Sequence, residues 1–261
     1  VTRWDRLFPV ACACCKADGA NVPEVEAVIV LLLSLVRDAF STALMASLLA
    51  PGTAFPPLSA EALATVQQAA SSLLQAAAAR NNLPLPADFS AQAAQQLQLQ
   101  LQNLVTRTSA EALPALAAPG ALATPETLRA ELEAALDAEQ ALKPLVDAWS
   151  YQTYNAGTVR AAATNGENFV QLVAKLDNKT TKFCQLVNGR VIPMARALAQ
   201  LDRIAAATAA GDVEALIAAT PFHPNPSEAT QEEVDAILAE GGLAPFHFRC
   251  RTQNVPVRIG S

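Results

Sequence analysis

Apolar residues recur every three or four positions along most of this chain, the spacing of an amphipathic helix, and the pattern changes only after about residue 165. A helix is predicted from Pro23 to about residue 49, opening on a proline with Glu24 and Glu26 in its first turn and stopped by Pro51-Gly52. Ser59 is the expected N-cap of a second helix over 60–80, which Asn81-Asn82 and then Pro84 and Pro86 end. Residues 96–102 alternate Gln and Leu strictly, which alone would suit a strand. In the wider window Ala94, Leu97, Leu101, Leu104 and Val105 share one helical face, and Gln and Leu are good helix formers, so a helix is predicted over 91–106 behind Ser90. An Ala/Pro/Gly-rich connector follows at 110–124. Thr124-Pro125-Glu126 then opens a helix to about residue 142. Pro144 kinks it or starts the next, which runs through Trp149, Tyr151 and Tyr154 to about 163.

Past Asn165-Gly166 the runs shorten. Residues 169–176 and 190–192 flank Val187-Asn188-Gly189, and Asn-Gly is a strong hairpin signal, so two paired strands are expected there. Helices return at about 194–210 and 230–240, the latter behind the capping box Thr230…Glu233, and Val255-Pro256-Val257 reads as an edge strand. The expected fold is mainly α with a small α+β C-terminal domain carrying a short β-hairpin sheet. It divides into an irregular segment 1–22, an elongated helical arm 23–143 and a domain 144–261.

Composition supports helices packed through small side chains. Of 261 residues 52% are hydrophobic and 16% charged, aromatics are 5%, and roughly a fifth are alanine. That argues against extended disorder and against an all-β chain. The net charge of −6 excludes a generally basic nucleic-acid coat, and the acidity lies wholly in residues 1–150, with 8 Lys and Arg against 14 Asp and Glu. The apolar run 27–36, broken only by Ser34, falls short of the about 20 residues a spanning helix needs, so no membrane span is expected. Asp5, Asp18, Glu24 and Glu26 do not suit a signal peptide. Five cysteines, odd in number and clustered, suit a reducing intracellular origin; Cys12, Cys14 and Cys15 read as a partly exposed, inert thiol group.

The usual catalytic motifs fail: there is no glycine-rich phosphate loop, no Gly-x-Ser-x-Gly, no His-Glu-x-x-His, and only two histidines, so no enzyme is expected. What stands out is a two-part pattern. Its first half runs from Leu176 to Val191 through Asp177, Thr181, Cys184, Asn188 and Gly189. Its second half is Pro245-Phe246-His247-Phe248-Arg249-Cys250-Arg251-Thr252. Asp177 and Thr181 can cap a turn that brings Cys184 to the head of the hairpin, and His247-x-x-Cys250 presents two soft ligands on a tight loop. These are elements of a tetrahedral zinc site, with three ligands in Cys184, His247 and Cys250 and either Asp177 or His223 available as a fourth. The alternative is a metal-free clasp, with His247 and Arg249 bonding the turn around Asp177. Lys175, Lys179, Lys182 and Arg190 concentrate positive charge, as a solvated face or a contact for the phosphates of DNA.

The pattern Asp-x-x-Thr-Thr-x-x-Cys-x-x-x-Asn-Gly-x-Val followed by Pro-x-His-x-x-Cys-Arg resembles the head-morphogenesis domain of tailed bacteriophages, the family of the phage Mu minor head protein F. The polar helix around Tyr151-Gln152-Thr153-Tyr154-Asn155 resembles that family's preceding helix. The family often closes its second motif Cys-Arg-Cys, where this chain has Thr252. The resemblance covers about 145–257. It implies a structural minor head protein, bound to the portal protein and inner capsid surface, acting in head assembly and in DNA packaging or ejection. Its location would be the virion, and the host cytoplasm during assembly, with self-association into a homo-oligomer admitted. Domains of this family also occur fused to toxin-like modules, so the alternative is an effector or nucleic-acid-modifying enzyme.

Overall fold

The computed structural model describes residues 22–49, 58–116, 138–178, 180–247 and 250–257. Helix α1, Pro23–Leu49, opens on the proline and two glutamates as expected. Its Val25, Val28, Ile29, Leu32, Val36, Phe40 and Leu44 form a continuous buried stripe, while Val30 is 72% exposed on the opposite face. By length and composition Pro23–Leu48 is long and apolar enough to cross a membrane. Helix α2, Ala60–Arg80, is capped by the Ser59 hydroxyl, which accepts from Ala62 N at 3.1 Å.

Helix α3, Ser90–Leu116, begins and ends differently from expectation. Ser90 is its first residue, and its N–H donates to Asp88 Oδ1 at 2.9 Å, a bond that holds the Asp88 carboxyl below its ordinary value. The helix runs ten residues beyond 106, into the expected connector. Ala110-Glu111-Ala112-Leu113 are helix formers, and the Thr106 hydroxyl bonds back to Gln102 O at 2.9 Å instead of capping an end. The Gln/Leu stretch is helical, with Leu97, Leu101 and Leu104 buried.

Helix α4, Ala138–Thr164, is continuous, with Pro144 inside it. No new helix starts there; Lys143 and Asp147 are bridged at 2.7 Å across the proline. The expected helical start at 124–137 and the Cys12, Cys14, Cys15 cluster lie outside the described residues. α4 passes through both hydrophobic cores. Leu142, Val146, Trp149, Tyr151 and Tyr154 join the core of α1–α3, and Ala156, Val159 and Ala162 join the second core. Trp149 Nε1 donates to Ala93 O at 2.8 Å, so a bulky ring is placed with its polar atom satisfied.

The second core holds a three-stranded antiparallel sheet in the order β2-β1-β3: β1 is Phe169–Val173, β2 Val191–Pro193 and β3 Gln253–Val257. Val170 pairs with Ile192 on one side and Pro256 on the other. β3 is an edge strand as expected, and its free edge is closed. Asn254 N–H is taken by Asn155 Oδ1 at 2.9 Å, and Pro256, of the same parity, has no N–H. Between β1 and β2 lies a short helix, α5 (Lys182–Val187), so the Asn-Gly pair is not a two-residue hairpin loop. Asn188 (φ −60, ψ 129) and Gly189 (φ 81) instead form a type II turn that leads from α5 into β2, with Arg190 N donating to Val187 O at 3.0 Å. Helices α6 (Met194–Ala210), α7 (Val213–Ala219) and α8 (Gln231–Glu240) complete this part. The molecule is thus mainly helical with one small sheet in its C-terminal part.

A groove of about 490 Å³ lies between α3, α4 and α7, lined by Leu104, Leu145, Leu216, Ile217 and Phe222 with Arg107. Its lining contains no Cys, His or carboxylate side chain, so the candidate chemistry sits elsewhere.

Candidate metal centre

Thr181 is the N-cap of α5, and its hydroxyl accepts from Cys184 N at 3.2 Å. That bond fixes Cys184 in the first turn of α5, where it is buried. The facing loop enters through a cis Ala244–Pro245 peptide and closes with Cys250 N donating to His247 O at 3.1 Å.

Three buried amides hold this loop. Asn155 Nδ2 donates to Ala244 O and to Thr252 O, both at 3.2 Å, while its oxygen accepts from Asn254 N. Asn254 donates to Gly242 O at 2.7 Å and accepts from Ala244 N at 3.0 Å. Gln200 Oε1 accepts from Gly242 N and Leu243 N, each at 2.9 Å, and its amide donates to Ala219 O at 3.1 Å. Gly241 is required here, because a Cβ would fall 2.1 Å from Gln200 Oε1. Each of these backbone groups would be costly to leave unpaired in the core.

The two halves of the pattern meet. Cys184 Sγ lies 3.0 Å from His247 Nε2 and 3.8 Å from Cys250 Sγ, with all three ligand atoms within 4.8 Å of one another and all three residues buried. This group can hold a metal ion. Thr181 Oγ1 is 3.2 Å from His247 Nε2, and the Thr252 hydroxyl donates to Cys184 Sγ at 3.7 Å. Phe183 walls the site, its ring centroid 5.4 Å from Phe246 and 6.2 Å from His247.

The hydrogen bond with Cys250, then burial, push the Cys184 thiol well above its ordinary value. Burial pushes Cys250 the same way, but its hydrogen bond with Cys184 and the facing His247 outweigh burial and hold it well below. The two thiols therefore titrate as a coupled pair facing the imidazole of His247.

Asp177 is not among the ligands. Arg251 Nη2 holds its two oxygens at 3.3 and 3.1 Å, and Lys175 Nζ stands 3.8 Å away. Among the described residues Arg251 and Lys175 are the cations on this turn; Arg249 lies outside the described residues. His223 is also elsewhere: its Nδ1 accepts from Asn225 N at 3.2 Å and its Nε2 is 3.5 Å from Glu233. Of the basic group, Lys175 faces Asp177, Arg190 is bonded to Asp235, Lys182 is exposed, and Lys179 lies outside the described residues.

Sequence reasoning found the three clustered residues Cys184, His247 and Cys250, together with Thr181 and the Asn188-Gly189 turn. It missed the anchoring roles of Asn155, Gln200 and Asn254 and the part played by Arg251. The available signal was an amide in an apolar neighbourhood, as with Asn155 three residues before Thr158-Val159 and Asn254 beside Val255. Neither family models, nor curated proteins, nor solved structures give a match to this chain.

Proposed function

We propose that this chain is a structural minor head protein of a tailed bacteriophage, with a C-terminal domain of the head-morphogenesis type locked by one zinc ion. The observation that carries the reading is the convergence of Cys184 with His247 and Cys250 across more than sixty residues of sequence. The same halves carry the resemblance to the head-morphogenesis family. Zinc suits the donor set of two sulfurs and one imidazole nitrogen. In a tetrahedron with Zn–S bonds of about 2.3 Å the sulfurs stand about 3.8 Å apart, and the Cys184–Cys250 separation is 3.8 Å.

Cys184, Cys250 and His247 would hold the ion, which supplies a cross-link between α5 and the 245–251 loop. Three ligands leave a fourth coordination position, and burial of all three residues favours a structural ion over one that a substrate must reach. The protein therefore acts by shape and contact, docking on the portal protein or inner capsid during head assembly. Packaged DNA is a weaker partner for this geometry, because Lys175 and Arg190 already face carboxylates.

The test is co-expression with the portal protein of the same phage, followed by affinity purification, together with deletion of this chain's gene from the phage. The reading expects a stable complex and defective heads. No association, with normal heads from the deletion phage, would sink it.

A further inference from the structure

We propose that Cys184 and Cys250 are a redox-exchangeable pair, holding the metal when reduced and closing to a disulfide that expels it when oxidised. This deepens the reading above and rests on it for the metal-bound state. Both thiols are free, and their sulfurs are 3.8 Å apart. A disulfide requires about 2.05 Å, so closure asks for a shift of about 1.7 Å. The two sides can share that shift unequally. Cys184 is fixed in α5 by the Thr181 cap, whereas Cys250 lies outside helix and strand, ahead of β3. Because the same two sulfurs serve both states, disulfide and metal exclude one another.

The co-reactant is a hydroperoxide. One thiolate attacks the peroxide oxygen, the O–O bond breaks, and a sulfenic acid forms as the first water leaves. The second sulfur then attacks the sulfenic sulfur, the S–S bond forms, and the second water leaves. Two thiols lose two electrons and two protons, and one hydrogen peroxide becomes two waters. Hydrogen peroxide is small and uncharged, so local opening of the native state admits it to Cys184 and Cys250, which are 6% and 1% exposed. A virion protein is assembled in a reducing cytoplasm and then leaves it, so it meets both conditions. The clasp between α5 and the loop is closed in each.

The experiment takes the full chain, reduced and loaded with zinc, beside the same chain stripped by a chelator. Both are treated with hydrogen peroxide. Released zinc is read with a chromogenic chelator, and the cysteines are mapped by mass spectrometry after alkylation, which separates this pair from Cys12, Cys14 and Cys15. The expected result is a Cys184–Cys250 cross-linked peptide in both arms, with about one zinc released per chain from the loaded arm. Dithiothreitol plus zinc restores the starting state, and the oxidised form melts at the same temperature with or without chelator. If the chain takes up no zinc yet forms the cross-link, the metal reading fails and the oxidisable pair stands. If zinc is bound but remains in place, or Cys184 and Cys250 stay alkylatable or go to sulfinic acid without cross-linking, the exchange is overturned while the metal reading survives.

Discussion

Asn155 occupies a point where three backbone groups converge, Ala244 O, Thr252 O and Asn254 N, and it satisfies all of them while itself fully buried. Replacing it by alanine leaves those groups without partners in the core. We expect Asn155→Ala to cost about 3 kcal/mol in urea unfolding and to weaken metal uptake as well, because the 245–251 loop loses its anchor. Thr252 offers the converse change. Its hydroxyl lies 3.7 Å from Cys184 Sγ and the residue is buried, so Thr252→Cys brings a third sulfur, as a fourth ligand, to the cluster. Competition with a chelator should then show zinc held roughly tenfold tighter or better; unchanged affinity would mean the hydroxyl side is not the open coordination position. Glu26 supplies a pH signature away from the site. Burial, then the charge of Asp147, raise its carboxyl above the ordinary value, while Lys143 and the Tyr151 hydroxyl oppose the shift. The folded chain thus holds this proton to higher pH than the unfolded chain does. Its contribution is complete below the unfolded value and is lost as pH rises through the folded one. Glu26→Gln should remove that loss, gaining less than about 1 kcal/mol at neutral pH since the group is half solvated. Melts of both proteins across the acid-to-neutral range would show it, and parallel pH profiles would refute it.

At the scale of elements, α2 and α4 approach closely at Gly157, where an added Cβ would stand 3.0 Å from Leu74 Cδ2 and 3.3 Å from Leu74 Cα. A side chain larger than methyl has nowhere to go without separating the helices. Gly157→Val should cost about 1–3 kcal/mol, seen as a lower urea midpoint. The long helices were legible because each carries a period-3.6 stripe with its own start and stop signals, as in Ser59 before α2 and Gly211 after α6. Helix α7 escaped because seven residues are too few for a period to register, although Gly211-Asp212 is a readable stop and cap. The Asn-Gly pair was a sound turn signal attached to the wrong connection: α5 forms behind the Thr181 cap, and the turn serves its exit. The Cys184, His247 and Cys250 cluster could be read because Cys and His are rare here and specifically spaced. The amides that place them could not, since a buried Asn or Gln looks like a surface one until the backbone around it is known. Nor could spacing tell that the Arg251 guanidinium reaches Asp177.

For the whole molecule, the two cores share α4 but only one of them depends on the clasp. Trp149, Tyr154 and the α1–α3 stripes lie in the first core, whereas Cys184, Cys250, Phe183 and Phe246 lie in the second. Loss of the cross-link should therefore loosen the C-terminal part while α1–α3 and the first half of α4 stay folded. Hydrogen exchange on Cys184→Ser is expected to show faster exchange in α5, β2, β3 and α8, with little change in α1–α3; uniform loosening of both cores would contradict this division. The central claim is that the two-part motif closes on a metal, and the most direct measurement is the zinc content of the reduced, folded full chain after equilibration with excess zinc and removal of the unbound ion. One zinc per chain is predicted, falling to none in Cys184→Ser with α1–α3 retained. A folded wild-type chain that carries no zinc under those conditions, or a Cys184→Ser chain that carries as much as the wild type, would contradict it.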